Sequence, residues 1–187
     1  MMLAEYINRK RESHYVKVVP TKTGKERYYI IKDKAKVNRF ELLQDLPTGF
    51  EFYEYPFDAR VVIRKVIKTN IDFSETEIVT NIMKSHKTVP DFIIDKEENN
   101  IAVYIAHLNL RDFPELKENF HLIQTFNQKL KFVKMGMTFK AQRFCFLSSH
   151  YGWITMESSS DLKYLAEKYC YHIDKESLLE FWIDKKG

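Results

Sequence analysis

Paired runs of β-branched and aromatic residues, separated by turn residues, are the feature that most limits how this chain can fold. Residues 15–19 alternate, a Pro-Thr-Lys-Thr-Gly-Lys turn follows, and the strand pattern resumes over 27–31. The arrangement recurs at 50–55 with 60–66, at 92–94 with 101–105, and at 130–135, 139–147 and 153–156. Because strands joined by short turns pair antiparallel, this order predicts a mainly antiparallel sheet of hairpins and meanders.

Helical patterns separate these strands and close the chain. The clearest helix should end near Lys87, and Ser74 and Glu77 at its start have the spacing of a capping box. The other helical segments are 37–43, 113–128, 162–173 after the serines at 158–160, and a last helix capped by Asp174 with an apolar face of Leu178, Leu179 and Trp182. We therefore expect an α+β fold in which about four to five helices pack on the sheet.

The size of the chain fits a single domain. No internal repeat or long linker divides its 187 residues, although a soft boundary could lie near residues 108–112. With 44% hydrophobic residues, the core needs no disulfide or metal to hold it. Cys145 and Cys170 lie within apolar patterns and match no metal-ligand spacing, so we expect both to be buried thiols.

The N-terminal residues predict the compartment. The first twelve lack the apolar stretch of a secretory signal. No run approaches the roughly 20 apolar residues that a membrane helix needs. We therefore expect a cytoplasmic protein that does not contact a membrane.

Positive charge is concentrated in the first forty residues. They hold eleven Lys or Arg against four acidic residues, a balance of +7, whereas the rest of the chain carries −3. Such asymmetry is typical of contact with a polyanion, and lysines that keep an edge strand soluble are the alternative. Cations interleaved with aromatic rings can bind phosphates while the rings stack on bases. The predicted nucleic-acid contacts are Lys22, Lys25, Arg27, Tyr28 and Lys32.

The most distinctive stretch of the sequence runs from residue 46 to 65. It reads Leu-Pro-Thr-Gly-Phe-Glu-Phe-Tyr-Glu-Tyr-Pro and later Val-Val-Ile-Arg-Lys, and it resembles the LPxGYEIYENP…VFLRK signature of an uncharacterised bacterial protein family. Residues 92–105 are similar to the IVD…VY hairpin of that family, but Gly152 stands where the family has Asp. The family has no assigned activity. The resemblance, from about Tyr28 to Trp182, therefore implies one continuous unit and no catalytic residue.

Three charged residues are candidates for a dispersed catalytic site. Asp91 precedes a hairpin, as the first metal-binding acid of restriction-type nucleases does, but the next strand lacks the second carboxylate and the lysine. Glu54 and Arg64 lie in two paired strands. The structural alternative to a catalytic role is a ladder of cross-strand ion pairs, in which Glu51 or Glu54 pairs with Arg60 or Arg64.

No other pattern in the sequence indicates a reaction. The six histidines and two cysteines show no metal-ligand spacing, and the scattered glycines form no phosphate-binding loop, so we predict neither a metal nor a cofactor. The favoured hypothesis is a non-catalytic binding or accessory module that contacts a protein or a nucleic acid through its basic N-terminal hairpin. An enzyme with a dispersed, nuclease-like site and a structural homo-oligomer with aromatic anchors are the alternatives.

Overall fold

A computed structural model describes residues 3–147 and 150–180 of the chain. The described residues form two compact units. Unit 1 holds the residues up to Val66 together with Glu115–Gln124, and unit 2 holds Ile67–Pro114 together with the residues from Thr125 onward. Both units are built on antiparallel strands, which confirms the α+β class. That the whole chain acts as one domain, with a soft boundary near residues 108–112, stays a prediction.

Unit 1 contains two antiparallel sheets. The first has three strands in the order β1 (Glu5–Ile7), β2 (Ser13–Pro20) and β3 (Glu26–Ile31). The second pairs β4 (Phe50–Glu54) with β5 (Val61–Lys65). The basic hairpin and the pair of strands after it are therefore confirmed, within a few residues of the predicted bounds.

Aromatic rings hold these two sheets together. Tyr6 stacks on Phe52 with ring centroids 5.5 Å apart, and Tyr28 meets Phe50 edge-on at 5.3 Å. Val16 is buried on the same face of the β2–β3 hairpin as Tyr28, because alternate residues of a strand share a face. The other face of the hairpin is thereby turned away from β4 and β5.

Unit 2 is a five-stranded antiparallel meander with helices on one face. Its strands follow chain order: β6 (Phe92–Lys96), β7 (Asn100–Ala106), β8 (Phe126–Met135), β9 (Thr138–Leu147) and β10 (His150–Ser159). Val79 and Met83 of one helix and Leu165 of another pack on Val103 and Phe132 of the sheet. Cys170 also lies in this core, where burial raises the pKa of its thiol to about 12, and Cys145 is buried as predicted.

The number of helices is smaller than the predicted four to five. Within the described residues there are three α-helices: α1 (Phe73–Lys84), α2 (Phe120–Ile123) and α3 (Leu162–Cys170). None of them is long and apolar enough to cross a membrane. Short 3-10 turns lie within the other predicted helices at Arg39–Glu41, Pro114–Leu116 and Glu176–Glu180, and outside them at Lys34–Lys36 and Leu110–Asp112.

The predicted helix at 37–43 is wrong, and the one at 113–128 is confirmed only over α2, both for the same physical reason. Phe40 is 94% exposed, and Leu122 and Ile123 are exposed too, so neither segment has a buried apolar stripe. A short helix without such packing is marginal in water. Leu42 instead bridges to Lys17 of β2, and residues 126–128 belong to β8.

Three helix caps also differ from the prediction. The capping box of α1 is Asp72 with Glu75, two residues before Ser74 and Glu77, and the Asp72 N–H donates to Glu75 Oε2 at 2.8 Å. At α3 the cap is Asp161, whose carboxylate accepts from Tyr164 N, instead of the serines before it. Asp174 precedes only a 3-10 turn, and Trp182 lies outside the described residues.

Candidate nucleic-acid interface

One face of the β2–β3 hairpin, together with its turn, forms the candidate interface, and we call it the hairpin face. The register pairs Val19 with Arg27, and the alternation of the strand places Tyr29 on the same face as Arg27. The turn adds Lys22 and Lys25. These side chains line an open groove of about 610 Å³.

The turn that carries the two lysines is held by Thr21. Its hydroxyl accepts the N–H of Lys25 at 3.0 Å, its carbonyl accepts the N–H of Gly24 at 2.9 Å, and its own N–H donates to the Lys25 carbonyl at 2.7 Å. Gly24 has a φ of 77°, in the region that favours a residue without Cβ. Lys22 and Lys25 are therefore fixed on either side of a closed turn.

The cations of the hairpin face keep their charge available for a ligand. Lys22, Lys25 and Arg27 are exposed, and none of them forms an ion pair with an acidic side chain that the structure describes. The ring of Tyr29, which lines the same groove, is 46% exposed. Glu26 also lines the groove, and its carboxylate accepts the hydroxyl of Tyr28 at 2.7 Å. The result is an exposed ring beside unpaired positive charge.

Two of the predicted contacts lie elsewhere. Tyr28 is on the opposite face of the hairpin, where its ring packs on Phe50. Lys32 donates to Glu12 at 2.7 Å, and this bond, with one from Asn8, lowers the pKa of the Glu12 carboxyl. The exposed ring on the face of Arg27 is that of Tyr29, which its two-residue spacing from Arg27 places there.

The catalytic candidates Glu54 and Arg64 are not brought together. The register of β4 and β5 places them on opposite faces of that hairpin. Glu54 accepts from the Arg9 guanidinium at 2.8 Å and from the Tyr6 hydroxyl at 3.1 Å. Arg64 donates to Glu51 at 2.9 Å, so the cross-strand ladder predicted as the structural alternative is present.

Asp91, the third catalytic candidate, lies in unit 2. Its carboxylate accepts the N–H of Phe92 at 2.8 Å, so it caps the start of β6. Over the part of the chain that the structure describes, no group of three or more His, Cys, Asp or Glu side chains is placed to hold a metal ion.

Comparison of the chain with protein-family models, with curated proteins and with solved structures finds no match in any of the three. The similarity to the LPxGYEIYENP family therefore stays a prediction from its motifs. Function has to be inferred from the side chains themselves.

Proposed function

We propose that the protein binds single-stranded nucleic acid through the hairpin face, as a non-catalytic binding or accessory module. The observation that carries the proposal is the exposed ring of Tyr29 beside Lys22, Lys25 and Arg27, three cations without a described acidic partner. A cytoplasmic location is part of the same proposal.

The chemistry of the hairpin face suits a single strand better than a duplex. A base stacked on an aromatic ring contributes about 1–3 kcal/mol, but only an unpaired and unstacked base can reach such a ring. Lys22 and Lys25 on the turn and Arg27 on the strand supply donors for phosphates on the turn side of Tyr29. Such contacts carry little sequence information, so we expect weak sequence preference.

Fluorescence anisotropy with labelled single-stranded and double-stranded oligonucleotides over a salt series tests this proposal. Single strands should bind more tightly. The logarithm of the association constant should fall with the logarithm of salt concentration, and the three cations of the hairpin face should contribute about −2 to the slope, because each neutralised phosphate contributes about −0.7. Lys22→Ala with Lys25→Ala should make the slope shallower by about 1.4. Tyr29→Ala should weaken binding about 5- to 150-fold.

Matched variants in unit 2 control for general loss of charge or aromatic surface. Lys84→Ala with Lys96→Ala removes the same charge from exposed positions. Tyr171→Ala removes an exposed tyrosine that has Lys175 over its ring. Both variants should bind like the wild type. No binding at low salt, or equal losses in the control variants, would overturn the proposal.

Competition with an acidic peptide separates this proposal from a protein partner. If poly-glutamate displaces the oligonucleotide at equal charge concentration, stacking on the Tyr29 ring contributes nothing to the affinity, and the hairpin face binds any polyanion. The homo-oligomer hypothesis is independent of both, and light scattering tests it.

A further inference from the structure

A second cluster of rings and cations lies in unit 1, at the other end of β2. It consists of the turn at residues 55–60 between β4 and β5 and the loop at residues 8–12 between β1 and β2. We call the two segments together the braced turn, because the loop holds the backbone of the turn through side-chain hydrogen bonds.

Arg9 supplies most of this bracing. Its guanidinium donates to the carbonyl oxygens of Tyr55, at 3.0 Å, and of Pro56, and it pairs with the Glu54 carboxylate at 2.8 Å. Bonds between charged donors and oxygen acceptors are about twice as strong as neutral ones. The first half of the turn is therefore fixed to the loop.

The second half of the turn is fixed at Ala59. The Asn8 side-chain amide donates to the Ala59 carbonyl at 3.0 Å, and Ala59 is buried with a φ of 65°. Arg11 in the loop has a φ of 63°. Residues other than glycine rarely adopt this conformation, and they persist in it where the surroundings determine it, often at binding sites.

The side chains that this rigid backbone displays resemble those of the hairpin face in kind. The rings of Phe57 and Tyr55 are 54% and 36% exposed, and the Arg60 guanidinium lies 4.4 Å from the centre of the Tyr55 ring. Lys10 and Arg11 extend the positive charge along the loop. None of these three cations forms an ion pair with a described acidic side chain.

We infer that the braced turn is a second contact point for the same single strand, with Phe57 and Arg60 stacking on a base and Lys10 and Arg11 binding phosphates. This inference rests on the proposed function. Charge complementarity and exposed rings point to a nucleic acid. Because the backbone of the turn is already ordered, the complex has no further free-energy cost for ordering it.

The separation of the two contact points sets a minimum length for the ligand. The eight residues of β2 span about 26 Å between the loop and the hairpin turn. At the rise of about 3.4 Å per nucleotide of a fully stacked strand, roughly eight nucleotides span this distance, and an unstacked, more extended strand needs fewer. Longer strands gain affinity because the second contact becomes intramolecular.

A length series of oligothymidylates, from about 4 to 16 nucleotides, tests the inference by anisotropy. Wild-type affinity should rise at least about tenfold between roughly 4 and 10 nucleotides. In the variant Phe57→Ala with Arg60→Ala this step should disappear, while the affinity for the shortest oligonucleotide stays unchanged. Tyr29→Ala should instead weaken binding at every length.

Each outcome separates this inference from the proposed function. If the Phe57/Arg60 variant keeps the step, the braced turn makes no contact and only the hairpin face binds. If the wild type binds no oligonucleotide, the proposed function itself fails. Lys10→Gln with Arg11→Asn leaves the rings in place, and Asn tolerates the positive φ at position 11. This variant should therefore also reduce the rise of affinity with length. A step that persists in this folded variant overturns the phosphate role of the loop.

Discussion

The Glu54 carboxylate lies 2.8 Å from the guanidinium of Arg9 and also accepts the backbone N–H of Arg9 at 3.2 Å. With the Tyr6 hydroxyl as a third donor, it joins β1 and the loop after it to the end of β4. The Glu54 side chain is 12% exposed, so its charge is stabilised by these donors more than by water. Its contacts assign it a role in holding unit 1 together.

Glu54→Ala should lower the free energy of unfolding by about 2–3 kcal/mol, because it leaves the partly buried Arg9 without its carboxylate. Urea unfolding followed by circular dichroism measures this loss. The control is Glu51→Ala on the opposite face of β4, where the more exposed pair with Arg64 should contribute less than about 1 kcal/mol. Equal effects of the two variants would show that Glu54 does not brace unit 1.

The local parts of the fold could be predicted from the sequence. Strands and their turns are encoded by neighbouring residues, so the β2–β3 and β4–β5 hairpins were predicted correctly, and the Glu51–Arg64 pair is one of the pairings that the sequence left open in the second. The two-residue period of a strand also assigns Tyr28 and Tyr29 to opposite faces. Choosing between them required knowing which face packs on Phe50, and that contact joins residues far apart in the chain.

The braced turn was beyond prediction for a related reason. Arg9 and Glu54 are separated by 45 positions, and nothing near either residue indicates the other. Whether a short apolar segment becomes a helix likewise depends on packing elsewhere, which is why only Phe120–Ile123 of the helix predicted at 113–128 is helical. Long-range contacts decide both features.

The capping box of α1 depends on a distant lysine as well. Lys134 of β8 donates to Glu75 at 2.6 Å and to the carbonyl of Asn70 at 2.9 Å, and its side chain is mostly buried. Lys134→Met keeps the length of the side chain and should destabilise the protein by about 1–3 kcal/mol, since Glu75 loses its cation.

Thermal or urea unfolding of Lys134→Met should be compared with that of Lys163→Met. Lys163 lies 3.8 Å from Glu167 on an exposed helix surface, where such a pair contributes less than about 0.5 kcal/mol. If both variants unfold at the wild-type midpoint, the capping box does not need Lys134.

Stability in acid should depend on Glu157 of β10. Burial alone would raise the pKa of its carboxyl, but hydrogen bonds from Lys168, Tyr169 and Tyr164 outweigh this effect and lower the pKa below its usual value of 4.5. A carboxyl with a lowered pKa in the folded state stabilises the protein fully above its ordinary pKa. That stabilisation is lost as the pH falls below 4.5.

Urea unfolding between about pH 3 and pH 7 measures this dependence. Glu157→Gln should be less stable than the wild type at neutral pH, and the difference should shrink as the pH falls below 4.5. Glu167→Gln, which changes an exposed carboxylate of α3, should not alter the slope. A difference that is constant across the pH range would show that the Glu157 charge contributes nothing.

The turn of the hairpin face should be sensitive to substitution of Gly24 through its backbone alone. A Cβ built at Gly24 meets no atom within 4 Å, so a side chain there has room, but the φ of 77° is unfavourable for it. Gly24→Val should therefore cost about 1–2 kcal/mol and Gly24→Asn less, because Asn tolerates positive φ better. Gly24→Val should also weaken oligonucleotide binding, since Lys22 and Lys25 lose the turn that fixes them, whereas Gly24→Asn should bind like the wild type. Unfolding and anisotropy measured on both variants check this, and full binding by a destabilised Gly24→Val would show that the turn does not position the lysines.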